Sequence, residues 1–332
     1  MSYYNSNVTV FLPHVQMGIV ADRPVYGHLS HLSRSIRMSQ VLTYGGATAQ
    51  ARTVLVYGNC QAPFLAQTLA TLDDLNDDYR FVFAPNHIFP GADKATELSD
   101  HFFENVALVL WQLEEYTTNP AALAVQARLP ACCPVITYPS FVMTSLWPFE
   151  CPEPRGTIDP AFPWGRYQLG DIIGLQIRNA GLTGPLAVAA YLDLSYRKMP
   201  NLEVRLQRDI DRMCRYDTQC DIQLADFVEA NFRDQHLFWT SGHMSQSAII
   251  ELTRRVAKVV RPILGGKEAR LEACLSASGF KGMGDLQMPI HPMVAEVLGL
   301  TFWQPGQTYR WYTENWTFYD YFERYITNNA DW

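Results

Sequence analysis

Apolar and polar positions divide the first half of the chain into short apolar runs separated by segments with helical spacing. Short apolar runs bounded by polar or turn-forming residues are typical of buried strands, whereas apolar residues repeating every three or four positions indicate helices. The strand-like runs are Thr53–Tyr57, Tyr79–Ala84, Val106–Trp111 and Pro134–Tyr138, and the helical segments are Ala62–Leu75 and Pro120–Leu129. Strands that alternate with helices predict a parallel sheet with crossover helices.

The pattern changes after Tyr138. Residues 139–170 are rich in proline and aromatic residues, which predicts a long ordered loop or lid. From Asp171 onward the apolar spacing is mostly helical, interrupted by one apolar strand candidate, His236–Thr240. The predicted helices are Asp171–Ala180, Pro185–Leu194, Leu202–Tyr216, Leu224–Phe232, Ser245–Ile263, Lys267–Ala277, Pro292–Leu298 and Phe318–Thr327.

These elements predict an α/β fold with a short parallel sheet as its core and a predominantly helical C-terminal half. We expect residues 1–51 to form an N-terminal extension, with a strand candidate at Val8–Leu12 and a basic stretch at His28–Arg37. Residues 52–332 are expected to form a single α/β domain whose C-terminal part is helical. A chain of 332 residues is long enough to bury such a core.

Composition narrows the classes of function. The chain is 48% hydrophobic and 18% charged, as globular proteins are, and its net charge of −7 argues against general nucleic-acid binding. No run approaches the roughly 20 apolar residues of a membrane helix, and the first residues do not resemble a signal peptide, so we expect a cytoplasmic protein. The seven cysteines match no zinc-binding spacing, so no metal site is predicted.

The turn after the first predicted core strand carries the strongest chemical signal. The strand ends at Gly58, Cys60 follows two positions later, and a helical segment begins at Ala62. A thiol at the N-terminus of a helix meets exposed N–H groups that favour the reactive thiolate form. Backbone N–H groups at such a turn can also face a developing oxyanion. The alternative is a small buried cysteine in a strand-to-helix turn.

Other polar residues follow the ends of the predicted strands. Like Cys60, the residues Asn86-His87, Gln112 and Ser140 each follow the end of a predicted strand. Ligands of parallel α/β sheets bind at the carboxyl ends of the strands, so these side chains could converge on one site. Gln112 could donate a hydrogen bond to a carbonyl or a sugar hydroxyl, or it could be a surface glutamine.

His243 has a setting similar to that of Cys60. It follows the apolar run His236–Thr240 and a glycine, and it precedes a predicted helix. An imidazole, with an ordinary pKa near 6.5, is suited to act as a general base at the end of a strand. The alternative is a histidine that caps the helix. Together, Cys60 and His243 suggest a cysteine–histidine pair.

A glycine-rich loop, Gly279-Phe280-Lys281-Gly282-Met283-Gly284, offers exposed N–H groups and one lysine. That combination suits a phosphate group, which makes Lys281 a candidate for binding a phosphorylated cofactor. The loop matches neither a Walker A motif nor a dinucleotide-binding fingerprint. The alternative is a flexible connector between helices.

Five patches of sequence together resemble one known family over roughly residues 52–328. They are Gly58-Asn59-Cys60-Gln61, Val109-Leu110-Trp111-Gln112, Tyr138-Pro139-Ser140-Phe141 through Trp147-Pro148, Leu237-Phe238-Trp239-Thr240 leading to His243, and Pro289-Ile290-His291-Pro292 with the apolar residues that follow. The chain resembles the WcbI family of capsular-polysaccharide biosynthesis proteins, which are regarded as acetyltransferases that bind coenzyme A. The glycine–asparagine–cysteine–glutamine turn is the most specific of these patches.

Two positions depart from related patterns. The WcbI family usually has a proline after the histidine, where this chain has Met244. The strand–turn–nucleophile start also resembles the first block of the SGNH hydrolases, with Cys60 in place of serine. Those enzymes carry an aspartate three residues before the base histidine, a position occupied here by Thr240, so a hydrolase triad is not expected.

The resemblance implies an O-acetyltransferase that uses acetyl-coenzyme A to acetylate a sugar of a capsule precursor. Cys60 could accept the acetyl group and pass it to a hydroxyl deprotonated by His243, while the amides after Gly58, with Asn59 or Gln112, would hold the oxyanion. In direct transfer, Cys60 would only shape the site. We expect Asn59, Gln61 and Gln112 to support the pair, and Gly58, Cys60 and Lys281 to contact coenzyme A. The alternatives are a non-catalytic coenzyme A-binding protein of the capsule machinery and a thiol esterase. The sequence does not determine the oligomeric state.

Overall fold

The computed structural model describes residues 41–46, 48–86, 95–113, 120–155, 166–265, 271–277 and 282–328. The predicted strand at Val8–Leu12, the basic stretch His28–Arg37, His87 and Lys281 lie outside these residues.

A five-stranded sheet forms the core, in the order β1-β3-β2-β4-β5. Within this sheet, β2, β3, β4 and β5 are parallel to one another, and β1 pairs with β3 in the antiparallel sense. The strands are β1 Leu42–Gly45, β2 Arg52–Gly58, β3 Tyr79–Pro85, β4 Val106–Leu113 and β5 Val135–Pro139. The helices in this part of the chain are α1 Ala62–Leu69, α2 Asp73–Asn76, α3 Asp100–Glu104 and α4 Pro120–Gln126. The predicted α/β class with a parallel core is confirmed.

The central strands are apolar at consecutive positions because both faces of the sheet are covered. Along β2, Val54 and Val56 pack into the main hydrophobic cluster, whereas Leu55 and Tyr57 pack into a second cluster on the opposite face. Side chains alternate between faces along a strand, so a strand covered on both sides needs apolar residues throughout. This is why strands are found where the apolar runs predicted them.

The sheet begins earlier in the chain than residue 52. Leu42–Gly45 lies within the segment expected to be an N-terminal extension, yet it adds an edge strand beside β3, with Leu42 opposite Phe83. Short and only partly buried, this strand lacks the continuous apolar pattern by which the others were recognised. The extension as a separate unit remains a prediction.

Helices dominate the second half of the described residues, as predicted. They are α5 Ile172–Asn179, α6 Gly184–Lys198, α7 Leu202–Asp217, α8 Ala225–Asn231, α9 Gln246–Leu264, α10 Leu271–Ala277, α11 Pro292–Leu298 and α12 Phe318–Thr327. Ser245 caps α9 through its side chain, and Gly265 ends it with a φ of 86°, a conformation that glycine adopts readily. Among the described helices, none is long and apolar enough to cross a membrane.

The described residues also form three two-stranded ladders, one before these helices and two between them. They are β6 Glu150–Pro152 with β7 Leu169–Asp171, β8 Phe238–Thr240 with β9 His243–Met244, and β10 Thr308–Trp311 with β11 Glu314–Thr317. The first lies in the region predicted to be loop or lid, and the last falls where no strand was predicted. Among the described residues, the strand candidate His236–Thr240 does not join the parallel sheet. It is shortened to Phe238–Thr240 and forms a ladder with His243–Met244.

Candidate functional site

The turn that carries Cys60 is built from its own backbone and side-chain bonds. β2 ends at Gly58, and the N–H of Ala62 donates to the carbonyl of Asn59 at 3.0 Å, which closes the turn before α1. The N–H of Gln61 donates to Oδ1 of Asn59 at 2.8 Å. Cys60 is half-buried at the carboxyl edge of the sheet and is not part of a disulfide. The sequence therefore places the thiol where strand, turn and helix predicted it.

Position 58, at the end of β2, has room for glycine but not for a residue with a side chain. A Cβ atom there would lie 2.6 Å from Oε1 of Gln112, 2.7 Å from the hydroxyl oxygen of Tyr138 and 2.8 Å from Cβ of Ala62. Real Cβ atoms are essentially never this close to other heavy atoms. The missing side chain lets polar atoms from β4 and β5 approach the backbone beside Cys60.

Three strand ends meet at this turn through Asn59. Its N–H donates to Oε1 of Gln112 at 2.7 Å, and its Nδ2 donates to Oγ of Ser140 at 3.0 Å. On the other side, the N–H of Asn86 donates to the carbonyl of Gly58 at 3.0 Å. The structure thus brings together Gln112, Ser140 and the turn, as expected of residues at the ends of neighbouring parallel strands.

Gln61 uses every hydrogen-bonding position of its side-chain amide. Nε2 donates to the carbonyl oxygens of Phe141 and Gly242, at 2.6 and 2.9 Å. Oε1 accepts from the N–H of Phe141 at 3.2 Å and from Nε2 of Gln112 at 3.1 Å. An amide has two donor hydrogens and two acceptor lone pairs, so this group is fully satisfied. Gln61 and Gln112 are each 1% exposed, so they order the site from beneath and do not face solvent.

Ser241 and Gly242 connect β8 to β9, and this connection contacts the turn of Cys60 through Gln61. The carbonyl of Ser241 accepts from the N–H of Met143 at 2.8 Å, and its hydroxyl donates to Oε1 of Glu150 at 2.8 Å. The next residue, Gly242, is the one bound by Gln61. His243, the next residue, lies in this separate ladder and not, as predicted, at the end of a strand of the sheet.

The imidazole of His243 is neutral at physiological pH. Burial lowers its pKa to about 4, because removal from water penalises the charged form. Its Nδ1 atom is inaccessible to solvent and has no hydrogen-bond partner among the described residues. A neutral imidazole can accept a proton, which is the property required of a general base.

Glu150 is a site residue that the sequence interpretation missed. Burial raises the pKa of its carboxyl, although the hydrogen bond from Ser241 and the charge of Arg205 act in the opposite direction. Its second oxygen, Oε2, is buried and has no partner within the described part of the chain. The available signal was a single acidic residue at the end of the apolar run Phe141–Phe149. A glutamate is rarely buried unless its carboxylate is paired with another polar or charged group.

The expected oxyanion donors are partly engaged. The N–H of Asn59 already donates to Gln112, and the side chain of Gln112 lies in the interior. Of the groups expected to hold an oxyanion, the side-chain amide of Asn59 remains suitable, since Nδ2 carries a second hydrogen besides the one directed at Ser140.

The glycine-rich loop is described only from Gly282 onward. Gly282 has a φ of 67°, and a Cβ there would lie 2.9 Å from the backbone nitrogen of Gln246, so this part of the loop packs on the first turn of α9. The predicted phosphate contact of Lys281 stays a prediction. Within the described residues, no cluster of His, Cys, Asp and Glu could hold a metal ion.

The pair formed by His291 and Ser195 has a structural role. Ser195 donates its hydroxyl hydrogen to the carbonyl of Leu192 at 2.9 Å, so its oxygen accepts from Nε2 of His291, also at 2.9 Å. Nδ1 of His291 in turn accepts from the N–H of Met293 and caps α11. Burial lowers the pKa of His291 to about 4, in agreement with this neutral form. One of the five patches noted in the sequence is thus explained by a helix cap.

Comparisons with known proteins show the family and the fold of the chain. A family model described as the polysaccharide biosynthesis enzyme WcbI matches residues 53–261, more than half of the chain. The chain is also similar to a solved structure described as WcbI, a novel polysaccharide biosynthesis enzyme, in a native form without a disulfide bond between coenzyme A and a cysteine of that protein. That similarity has a TM-score of 0.60 at 17% identity and covers 83% of this chain and 89% of the other, so it shows a shared fold. No curated protein matches the chain.

Proposed function

Since the chain belongs to the WcbI family of polysaccharide biosynthesis enzymes, we propose that it is an O-acetyltransferase that takes its acetyl group from acetyl-coenzyme A. The acceptor is a sugar hydroxyl of a capsular-polysaccharide precursor. One observation carries the proposal: the amide of Gln61 ties the turn that holds Cys60 to the loop that holds His243. A nucleophile and a base are thereby held on two linked segments, as acyl transfer requires.

Coenzyme A suits the chemistry of the residues at the turn. Cys60 is half-buried at the edge of the sheet, where a thioester can reach it while the polar groups beneath it are satisfied by one another. The similar solved structure is described with reference to a disulfide between coenzyme A and one of its cysteines, which supports a thiol beside the coenzyme in this fold. Acetyl-coenzyme A supplies an activated acyl group. Gly58, Cys60 and Lys281 are the residues proposed to contact it.

The proposed reaction has two steps on the chain's own residues. The thiolate of Cys60 attacks the acetyl carbon, and coenzyme A leaves as its thiolate, so one thioester bond forms as another breaks. In the second step, His243 takes the proton of the acceptor hydroxyl, whose oxygen attacks the same carbon and releases the Cys60 thiolate. The proton on His243 then passes to solvent. The second Nδ2 hydrogen of Asn59 is proposed to stabilise the oxyanion.

Acetyl turnover with and without a sugar acceptor tests this function. Transfer that depends on the sugar supports an acetyltransferase, release of free acetate without it supports a thiol esterase, and coenzyme A binding without turnover supports a non-catalytic role. His243→Ala should lower transfer by about 10²–10⁴-fold, the usual contribution of a general base, with coenzyme A affinity nearly unchanged.

The cysteine variants separate the two possible routes. An acetyl group found on Cys60 by mass spectrometry, and absent from Cys60→Ala, supports the two-step route. Transfer by Cys60→Ala at the wild-type rate would mean direct attack by the sugar, with Cys60 only shaping the site. Cys214→Ala is the matched control, because Cys214 is exposed at the last turn of α7 and should not affect transfer.

A further inference from the structure

Six residues that follow β5 link the turn between β2 and α1 to the ladder of β8 and β9. We call them the bridging segment, Ser140–Ser145. On the side of the turn, the N–H and the carbonyl of Phe141 both bond to the side-chain amide of Gln61, at 3.2 and 2.6 Å. On the side of the ladder, the N–H of Met143 donates to the carbonyl of Ser241 at 2.8 Å. The position of the bridging segment therefore affects how these two parts of the chain are aligned.

Helix α7 holds the bridging segment from another direction. The segment forms neither a helix nor a strand, so its polar backbone groups need partners outside it. Three side chains of α7 supply such contacts, and their spacing of four and three residues places them on one face of the helix. They are Arg205, Asp209 and Arg212. Nη2 of Arg205 donates to the carbonyl of Thr144 at 3.3 Å, and Nη2 of Arg212 donates to the carbonyl of Val142.

Asp209 makes the central contact between α7 and the bridging segment. Its Oδ1 accepts from the hydroxyl of Thr144 at 3.1 Å, and its Oδ2 accepts from the N–H of Ser145 at 2.7 Å. Oδ1 also accepts from Nη2 of Arg212 at 2.8 Å, which is the same nitrogen that donates to Val142. Asp209 is 1% exposed, so its carboxyl group has little competition from water for these donors. Three donors on two oxygens hold this group in one orientation.

We propose that Asp209 is a positioning residue for acetyl transfer. By holding the bridging segment on α7, it fixes the turn that carries Cys60 relative to the ladder that carries His243. Loss of the carboxyl group removes the acceptor for Thr144 and Ser145, so the segment and the main-chain bonds on it can shift. A displacement of about 1 Å at reacting groups can lower a rate about 10²-fold. The effect on transfer rests on the proposed function, whereas the alignment of turn and ladder does not.

Amide hydrogen exchange tests the alignment without any substrate. Exchange is followed residue by residue in ¹⁵N-labelled wild type, in Asp209→Ala and in Thr144→Val, which keeps the shape of the side chain but removes its hydroxyl. The N–H groups of Phe141 and Met143 should exchange about tenfold faster in both variants, the effect of one lost hydrogen bond on local opening. Exchange in the central strand β2 should not change, because its bonds belong to the sheet.

The kinetics of the same variants test the effect on transfer. Rates are compared per folded molecule, with the folded fraction taken from urea unfolding. Asp209→Ala should lower kcat at least about tenfold with the KM for acetyl-coenzyme A unchanged, because the groups that react are misaligned while the coenzyme still binds. Asp209→Asn keeps one acceptor oxygen and should recover part of the loss. Asp211→Asn is the matched control: Asp211 is exposed on the same helix, where it accepts from Gln207 at 2.9 Å, and the change should affect neither measurement.

The outcomes separate this inference from the proposed function. Exchange at Phe141 and Met143 that matches the wild type in both variants overturns the inference, and if acetyl transfer still occurs, the proposed function survives. Faster exchange with an unchanged kcat shows that Asp209 supports only the fold, which also overturns its positioning role. Faster exchange in a protein whose wild type transfers no acetyl group supports the alignment and counts against the proposed function. If Asp209→Ala does not fold, Thr144→Val decides by the same two measurements.

Discussion

Nε2 of Gln61 donates a 2.9 Å hydrogen bond to the carbonyl of Gly242, and this single bond joins two segments 181 residues apart in the sequence. Gln61 follows Cys60 directly, and Gly242 precedes His243. The same amide holds Phe141 through two further bonds, so three segments meet at one side chain. The arrangement of the candidate site therefore depends on the side-chain amide of Gln61, whose two N–H hydrogens both donate to main-chain carbonyls.

Replacing Gln61 by glutamate tests this dependence. Gln61→Glu keeps the shape of the side chain but loses the donors to the carbonyls of Phe141 and Gly242, and each buried group left without a partner costs about 1–3 kcal/mol. We expect a lower free energy of unfolding in urea together with a large loss of acetyl transfer. Gln246→Glu, an exposed change in the first turn of α9, should stay within about 0.5 kcal/mol of wild type. Equal stability of the two variants would contradict the structural role of Gln61.

Glu150 and Ser241 form one unit that positions the loop of His243. Because the hydroxyl of Ser241 donates to Oε1 of Glu150, Ser241→Ala and Glu150→Ala remove the same bond. Each should lower the maximal rate of transfer about tenfold, and the double variant should be no worse than the more damaged single variant. Glu150→Gln keeps an acceptor oxygen and should recover most of the rate. Additive losses, or a change confined to KM, would show that the pair does not position the base.

The pH dependence of transfer should reflect the lowered pKa of His243. The base form is the neutral imidazole, and burial keeps it neutral down to a pKa of about 4. The maximal rate should therefore be flat from pH 8 to about pH 5 and fall only near pH 4, whereas an unperturbed histidine would halve the rate near pH 6.5. Circular dichroism at each pH checks that the protein stays folded. A descending acid limb centred near pH 6.5 would argue against His243 in its buried form.

Asp171 should make the protein less stable as the pH rises. Its carboxyl accepts from the N–H of Gly174 and the hydroxyl of Tyr191, yet burial dominates and raises its pKa to about 7. A raised folded-state pKa means that its contribution to stability is complete below the unfolded value of 3.8 and is lost as the pH rises through about 7. The shift corresponds to an effect on the order of 4 kcal/mol at most.

Asp171→Asn, which cannot ionise, should remove this dependence. Its free energy of unfolding, measured in urea, should rise relative to wild type between pH 5 and pH 8. Asp320→Asn is the contrasting control, because hydrogen bonds from Thr317 lower the pKa of Asp320 and its ionised form is the stabilising one. A wild-type protein whose stability rises from pH 5 to pH 8 as steeply as that of Asp171→Asn would contradict the raised pKa.

The sequence by itself determined the parallel core and the location of the thiol. Apolar runs, helical spacing and a glycine before Cys60 are local patterns, and a buried strand, a turn and a helix each follow from a few neighbouring residues. Convergence of Gln112 and Ser140 on the turn also followed, because neighbouring parallel strands end at the same edge. Local pattern could not reveal the edge strand Leu42–Gly45, whose residues are half exposed and weakly apolar.

Only the tertiary structure decided which ladder carries His243 and which residues link that ladder to the turn of Cys60. The bond from Ser241 to Glu150 spans 91 residues and that from Gln61 to Gly242 spans 181, and no periodicity records a contact over such separations. Strand β8 pairs with β9 and not with the sheet. This pairing depends on how elements distant in sequence pack together, which local pattern does not record. Side-chain hydrogen bonds form where burial excludes water, so their partners are set by the assembled core and not by the order of residues along the chain.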